Sequence, residues 1–218
     1  MSFTFTNRFG GVSETPFESK NLALHVGDYP QVVLQNREIQ EDEIGMPICY
    51  MEQFHGNEVV QVEDANFSPR CDALVTTKNK LGLAVLTADC IPLLLRGETC
   101  VAAVHVGRAG LMNGVALKTL AAMEELGSER IHGIIGPSIC GNCYEVSQEI
   151  YNDVILEHPA ADSHSRTGKY TLDLVAALKH QISSVVIQDH GSCVKEEKNY
   201  FSYRRDGITG RQAGIIWR

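Results

Sequence analysis

Tryptophan occurs once in this chain of 218 residues, and no apolar run approaches the roughly 20 residues of a membrane-spanning helix. The opening residues, MSFTFTNRFGG, lack the basic start and apolar block of an export signal. A cytoplasmic protein is therefore expected. Positive charge is in short supply: 19 Lys and Arg stand against 27 Asp and Glu, a net charge of −8. Phosphate backbones and anionic bilayers repel such a chain, which argues against nucleic-acid and membrane partners. Internal repeats, low-complexity tracts and Pro/Ser-rich linkers are missing too. Nothing marks a boundary, and one domain over 1–218 is expected. A disulfide framework is also absent. The seven cysteines (Cys49, Cys71, Cys90, Cys100, Cys140, Cys143 and Cys193) are odd in number and scattered, which fits reduced thiols. Most are expected to be small core residues, leaving one or two as ligands or nucleophiles.

What the chain does contain is an alternation of strand-like and helix-like segments. FTFTNR, PICYMEQF, EVVQVED, DALVTT, LGLAVLTA, CVAAVHV, IHGIIG and SVVIQ are β-rich, turn-bounded runs that predict strands. A short helix is predicted after Asp28 as its cap, with Pro30 in its first turn. MNGVALKTLAAMEELG, YEVSQEIYNDVILEH and TLDLVAALKHQI predict longer helices, the first ending at Gly127. NYFSYRRDGITGRQAGIIWR reads as a closing hairpin turning at Asp206-Gly207. Strands in runs with interspersed helices predict an α+β (mixed α/β) fold, with mixed β-sheets flanked by helices in a single domain.

Cys90 and His105 each end an apolar run, in LTADC and VAAVHVG. If those runs are neighbouring strands of one sheet joined by a hairpin, the two side chains converge at one edge. His55, in QFHGNEVV, ends another strand-like segment just before a glycine. Two imidazoles and one thiolate suit zinc, with a fourth position left open as in a catalytic site. The spacing is no local zinc signature, so other chemistries stay open. Cys90 and His105 could be nucleophile and base of a hydrolase, oriented by Asp89. The same donors accept copper. Cys140 and Cys143 form a C-x-x-C pair before a helix, the arrangement of a thiol–disulfide protein.

Several segments carry a resemblance that bears on these alternatives. FHGNEVV, DALVTTKNKLGLAVLTADCIPLLL, VAAVHVGRAGLMNGV, GPSICGNCYEV and YFSYRRDGITGRQA, in this order, resemble the laccase-domain family, also described as multicopper polyphenol oxidases. The likeness runs from NRFGGVSETPFESKNLALHVGD to IIWR. It implies that His55, Cys90 and His105 bind Zn2+, with copper as the alternative. It also implies a purine nucleoside phosphorylase. Such an enzyme takes purine nucleosides (adenosine, inosine, guanosine or methylthioadenosine) and phosphate, with adenosine deaminase activity on the side. The peptidoglycan-editing relatives of the family keep a Cys–His hydrolase acting on cell-wall precursors in view. Two departures stand out. The family's H-A-G-W-R-G reads His105-Val106-Gly107-Arg108-Ala109-Gly110 here, without the tryptophan. Its I-G-P-C-C-Y-E-V reads with an extra Cys140 and with Asn142 in place of a cysteine.

Phosphorolysis needs an anion site, and backbone N–H groups at a glycine turn beside an arginine can build one. Gly107-Arg108-Ala109-Gly110 offers such a turn, and Arg8 and Asn21 lie in the long glycine-bearing loop near the start. Arg204 and Arg205, if extended, point to opposite faces, so only one can reach a pocket. The expected substrate-binding residues are Arg8, Asn21, Arg108 and Arg205. Asp89 and Cys90 are the expected catalytic pair, with Asp89 as proton carrier or as partner of a ligand histidine.

Overall fold

The computed structural model describes residues 2–165 and 167–218. Continuous apolar sequence becomes strand buried on both faces: every residue of Gly82–Thr87 and of Val101–Val106 is buried. In chain order the elements are β1 (Ser2–Phe5), α1 (Pro30–Ile44), β2 (Ile48–Tyr50), β3 (Val59–Gln61), β4 (Ala73–Thr76), β5 (Gly82–Thr87) and β6 (Ile91–Arg96). Then follow β7 (Val101–Val106), α2 (Arg108–Met112), α3 (Val115–Glu125), β8 (His132–Ile135) and α4 (Gln148–Glu157). The chain closes with β9 (Asp162–His164), β10 (Tyr170–Leu172), α5 (Leu174–Gln181), β11 (Val186–Asp189), α6 (Tyr203–Asp206) and β12 (Gln212–Trp217).

Two mixed sheets dominate. One has four strands in the order β1-β12-β5-β2, the other six in the order β11-β8-β6-β7-β4-β3; β9 and β10 form a separate ribbon. Leu83 and Val85 of β5 meet Leu94, Val101 and Ala103 of the larger sheet in one apolar layer between the sheets. The far face of the larger sheet packs on Leu120 and Met123 of α3, Val154 of α4 and Leu178 of α5. Leu22, Ala23 and Ile44 cover the outer face of the smaller one. The mixed α/β class with sheets flanked by helices is therefore what the chain adopts.

Three expectations need correction. LGLAVLTA and CVAAVHV are not hairpin neighbours. The intervening IPLLLR is itself a strand, β6, which pairs with β7 (Ile91 opposite Val106), whereas β5 belongs to the other sheet. Residues 88–90 thus form the crossing between sheets. The helix after Asp28 is not short. It runs fifteen residues with Tyr29 at its N-cap and Pro at its start, and the Asp28 carboxylate instead binds Ser13, Asn21 and the Tyr29 N–H. The closing segment is not a hairpin either: Tyr203–Asp206 is a helical turn capped by the Ser202 hydroxyl, and only Gln212–Trp217 is strand.

Candidate active site

The crossing that ends β5 delivers Cys90 to the mouth of the gap between the sheets. The β6–β7 pairing brings it against Gly107, where a Cβ would lie 2.9 Å from the Cys90 sulfur and 3.3 Å from His55 Cδ2. Only glycine leaves that space free. His105, buried in β7, and His55, exposed in the loop before β3, complete the group, with one ligand atom from each of the three lying within 4.8 Å of the others. The rings of the two histidines stand edge to face at 4.7 Å. His55 has φ of 62° and Asp89 of 108°, left-handed backbone that costs a non-glycine residue about 1–3 kcal/mol and persists only where its surroundings impose it.

Asp72 supplies much of that imposition. Its Oδ1 is 2.8 Å from His105 Nδ1. The same carboxylate accepts the backbone N–H groups of Phe54, His55 and Gly56 at 3.3, 3.0 and 2.7 Å. One fully buried side chain therefore orients the His105 ring and shapes the loop that presents His55. Burial pushes the Asp72 carboxyl up, but the His105 ring and the Gly56 and Phe54 N–H groups outweigh it and hold it below the ordinary carboxylate range. No local signal in RCDALVTT marks this residue, because the ring it orients is 33 positions away.

Burial also works against charge on the other two donors, and their mutual attraction wins. The Cys90 thiol, raised by burial, is brought down to about 6 by His105 and His55. His105, lowered by burial, is raised to about 9 by the Cys90 sulfur and Asp72. A thiolate is thus already favoured at Cys90, the form a metal requires. Holding His105 Nδ1 on a carboxylate leaves Nε2 for an ion, the usual carboxylate–histidine–metal relay. The donor set, its anionic character and its buried supporting carboxylate fit a cation.

A cavity of about 430 Å³ opens over these donors. Asp89, His25, Arg204 and Arg211 line it, with the rings of Tyr144 and Tyr203. Asp89 does not touch a ligand histidine. Its two oxygens accept from the Ser202 hydroxyl at 2.6 Å and the Arg204 N–H at 2.7 Å, so it ties α6 to the crossing. Burial raises the Asp89 carboxyl, against the lowering effect of these donors. Arg204 lies 5.0 Å over the Tyr144 ring and donates to the Glu145 carbonyl at 2.6 Å. His25 is lowered by burial and by the cations Arg211 and Arg37.

The expected substrate-binding residues fare differently. Arg108 lies near enough to Tyr144, a cavity-lining ring, for its charge to favour the phenolate against burial, and so borders the site. Arg205 lies outside the lining. Its guanidinium binds the carbonyls of Val194 and Tyr200, both at 2.7 Å, and the Asp206 carboxylate. Asn21 is fully buried and holds Ala23, Asp28 and the Arg211 N–H. Arg8 binds Glu18 and sits 5.0 Å over Phe201. Asn21 and Arg205 are fully engaged by the protein itself, and none of the three lines the cavity. Because SYRR is helical, Arg204 rather than Arg205 turns to the cavity; of the arginines in the last segment, Arg204 and Arg211 reach it. Among the described residues no helix is long and apolar enough to cross a membrane.

The model of the family described as multi-copper polyphenol oxidoreductase laccase matches residues 2–218. A Corynebacterium glutamicum protein named purine nucleoside phosphorylase is 44% identical, over 98% of this chain and 92% of its own. A Shigella flexneri protein of the same name, YfiH, is 34% identical over 97% and 91%. Among solved structures, a Neisseria meningitidis protein assigned to family DUF152 superposes with a TM-score of 0.87 at 34% identity, covering 100% of this chain and 99% of that one. YlmD from Geobacillus stearothermophilus superposes with a TM-score of 0.89 at 29% identity, over 99% and 91%. With a match along all but its first residue, the chain belongs to the multi-copper polyphenol oxidoreductase laccase family.

Proposed function

We propose that the chain, as one catalytic unit over 1–218, is a purine nucleoside phosphorylase. It splits adenosine, inosine, guanosine or methylthioadenosine with phosphate into the free base and the sugar 1-phosphate. The observation that carries the reading is one cavity in which an N, N, S donor group lies with Arg204, Arg211 and His25 and two tyrosine rings. The names borne by the relatives point the same way.

His55, Cys90 and His105 hold the ion, read as zinc. Bound there, it supplies Lewis-acid polarisation of a substrate atom. The chain's own groups do the rest. Arg204 and Arg211 neutralise the phosphate anion beside the sugar, and planar Tyr144 and Tyr203 offer the base a stacking face. Arg108 sets its positive charge near one of those rings, that of Tyr144. Asp89 is a positioning residue: by accepting the Arg204 N–H it sets where α6 begins.

Adenosine deamination is a second reading of the same cavity, favoured by a donor group of three with room for a fourth partner. The test incubates metal-analysed protein with each nucleoside, with and without phosphate, and identifies the products. Phosphate-dependent base with sugar 1-phosphate is expected. Its absence with every nucleoside overturns phosphorolysis, and phosphate-independent ammonia from adenosine supports deamination. Phenol oxidation by copper-loaded protein favours the oxidase. Inactivation of metal-free enzyme by a thiol alkylator, with hydrolysis of cell-wall precursors, favours a Cys–His hydrolase.

A further inference from the structure

Behind the cavity wall, three sulfurs that the phosphorolysis reading does not use come together. Cys140, Cys143 and Cys193 place their Sγ atoms within 4.8 Å of one another. The C-x-x-C pair is closed by a tight turn, the Cys143 and Tyr144 N–H groups donating to the Cys140 carbonyl at 3.0 and 3.2 Å. Cys193 arrives on a second segment, zipped to the first through Ser138: Ser138 N–H donates to Ser192 and Val194 N–H to Ser138, at 3.2 and 3.1 Å.

Simple packing accounts poorly for this convergence. The sulfurs lie outside the large apolar layers, in a small cluster with Ile139 and Tyr144, and Cys140 is only partly buried. Polar groups point at them instead. The Cys140 N–H donates to the Cys193 sulfur at 3.4 Å, and the Glu196 Oε1 lies 3.6 Å from the Cys143 sulfur. Three converging sulfurs, with a carboxylate side chain beside one of them, supply the donor types of a structural four-ligand site. A disulfide would join two sulfurs and leave the third without a partner.

We propose that Cys140, Cys143 and Cys193 form a second, structural cation site for a thiophilic divalent ion of the zinc class, with the Glu196 side chain, which already touches Cys143, turning in as fourth ligand. On binding, each thiol releases its proton to solvent as its sulfur–metal bond forms; no electrons are transferred. The ion clips a segment that reaches the cavity to one that supports α6 from behind. One carries Tyr144 and the Glu145 carbonyl that receives Arg204. The other supplies the Val194, Lys195 and Glu197 carbonyls that hold Arg205.

The test counts zinc by mass spectrometry in full-length protein, purified under reducing conditions and dialysed against buffered zinc. About two equivalents are expected in the unaltered chain and about one in either His55→Ala/His105→Ala or Cys193→Ser, with none in the combined variant. Cobalt(II) in the His55→Ala/His105→Ala protein is expected to give a thiolate-to-metal charge-transfer band that Cys193→Ser abolishes. If a variant fails to fold, the unaltered chain decides: zinc must protect Cys140, Cys143 and Cys193, as well as Cys90, from alkylation mapped by peptide. Protection confined to Cys90, or a disulfide among the three in place of bound metal, overturns the proposal.

Discussion

Asp72 Oδ1 lies 2.8 Å from His105 Nδ1 while the same carboxylate caps the N–H groups of the loop that presents His55. One buried acid, immediately before β4, therefore couples two of the three donors: His105 on the directly paired strand β7 and His55 in the loop before β3. Asp72→Asn keeps the shape but not the charge, and its amide replaces one accepting oxygen with an NH2 donor. Metal affinity is expected to fall about 10–100-fold, read by competition with a calibrated chelator. Asp72→Ala goes further. It leaves the buried His105 Nδ1–H without its partner, at a cost of about 1–3 kcal/mol, and should appear as a lowered melting temperature even without metal. Unchanged affinity in Asp72→Asn would show that the carboxylate does not govern the donors.

Removing the cation should silence the proposed chemistry without dismantling the fold, because the donors sit at the mouth of the gap rather than within the apolar layers. Chelator-treated protein is expected to lose phosphate-dependent base release and to regain it with zinc. In that state the Cys90 thiolate is open to alkylation, whereas the metal-loaded enzyme protects it. Cys90→Ala should abolish both the activity and the zinc rescue. Full phosphorolysis by metal-free protein would disprove a role for the ion.

Adjacent arginines in α6 are expected to fail in different ways. Arg204 faces the cavity, so Arg204→Ala should raise KM for phosphate, and loss of a charge-assisted hydrogen bond of about 1.5–3 kcal/mol corresponds to roughly 10–100-fold in kcat/KM. Arg205 instead satisfies the carbonyls of Val194 and Tyr200, so Arg205→Ala should lower the melting temperature while KM for phosphate stays near its original value. Steady-state kinetics beside thermal melts separates the two. Equal KM effects would place both arginines on the anion.

The two-sided burial of β5 and β7 was legible because continuous apolar runs have few other uses, and His55, Cys90 and His105 stood out as polar residues ending such runs. The route by which they meet was not. IPLLLR carries the same apolar signal as its neighbours, and nothing local says that β5 and β6 belong to different sheets. Arg205 was misplaced for a similar reason: SYRR suits a strand by composition, but Ser202 caps a helical turn there, its hydroxyl accepting the Arg205 N–H at 3.2 Å. Asp72 and Cys193 act through partners distant in sequence, which periodicity cannot register. Asn21 looked like a loop residue free for ligand, yet the loop's own turns consume it, and Arg8 turns to Glu18 and Phe201 rather than to the cavity.

Gly107 offers the sharpest test of how tightly the site is built. Its φ of −89° suits any residue, so Gly107→Ala carries no backbone penalty. The added methyl would instead meet the Cys90 sulfur at 2.9 Å and His55 Cδ2 at 3.3 Å, closer than atoms of these types comfortably approach. Cys90 has a single side-chain torsion with which to yield, and yielding moves its sulfur away from the two imidazoles. A change of a few tenths of an ångström suffices, because metal–ligand bonds tolerate deviations of only about 0.2 Å. The variant is expected to fold with an unchanged circular dichroism spectrum, yet to bind zinc about tenfold more weakly, a loss of about 1.4 kcal/mol. Zinc affinity equal to that of the unaltered chain would mean that Cys90 is not held where His55 and His105 converge.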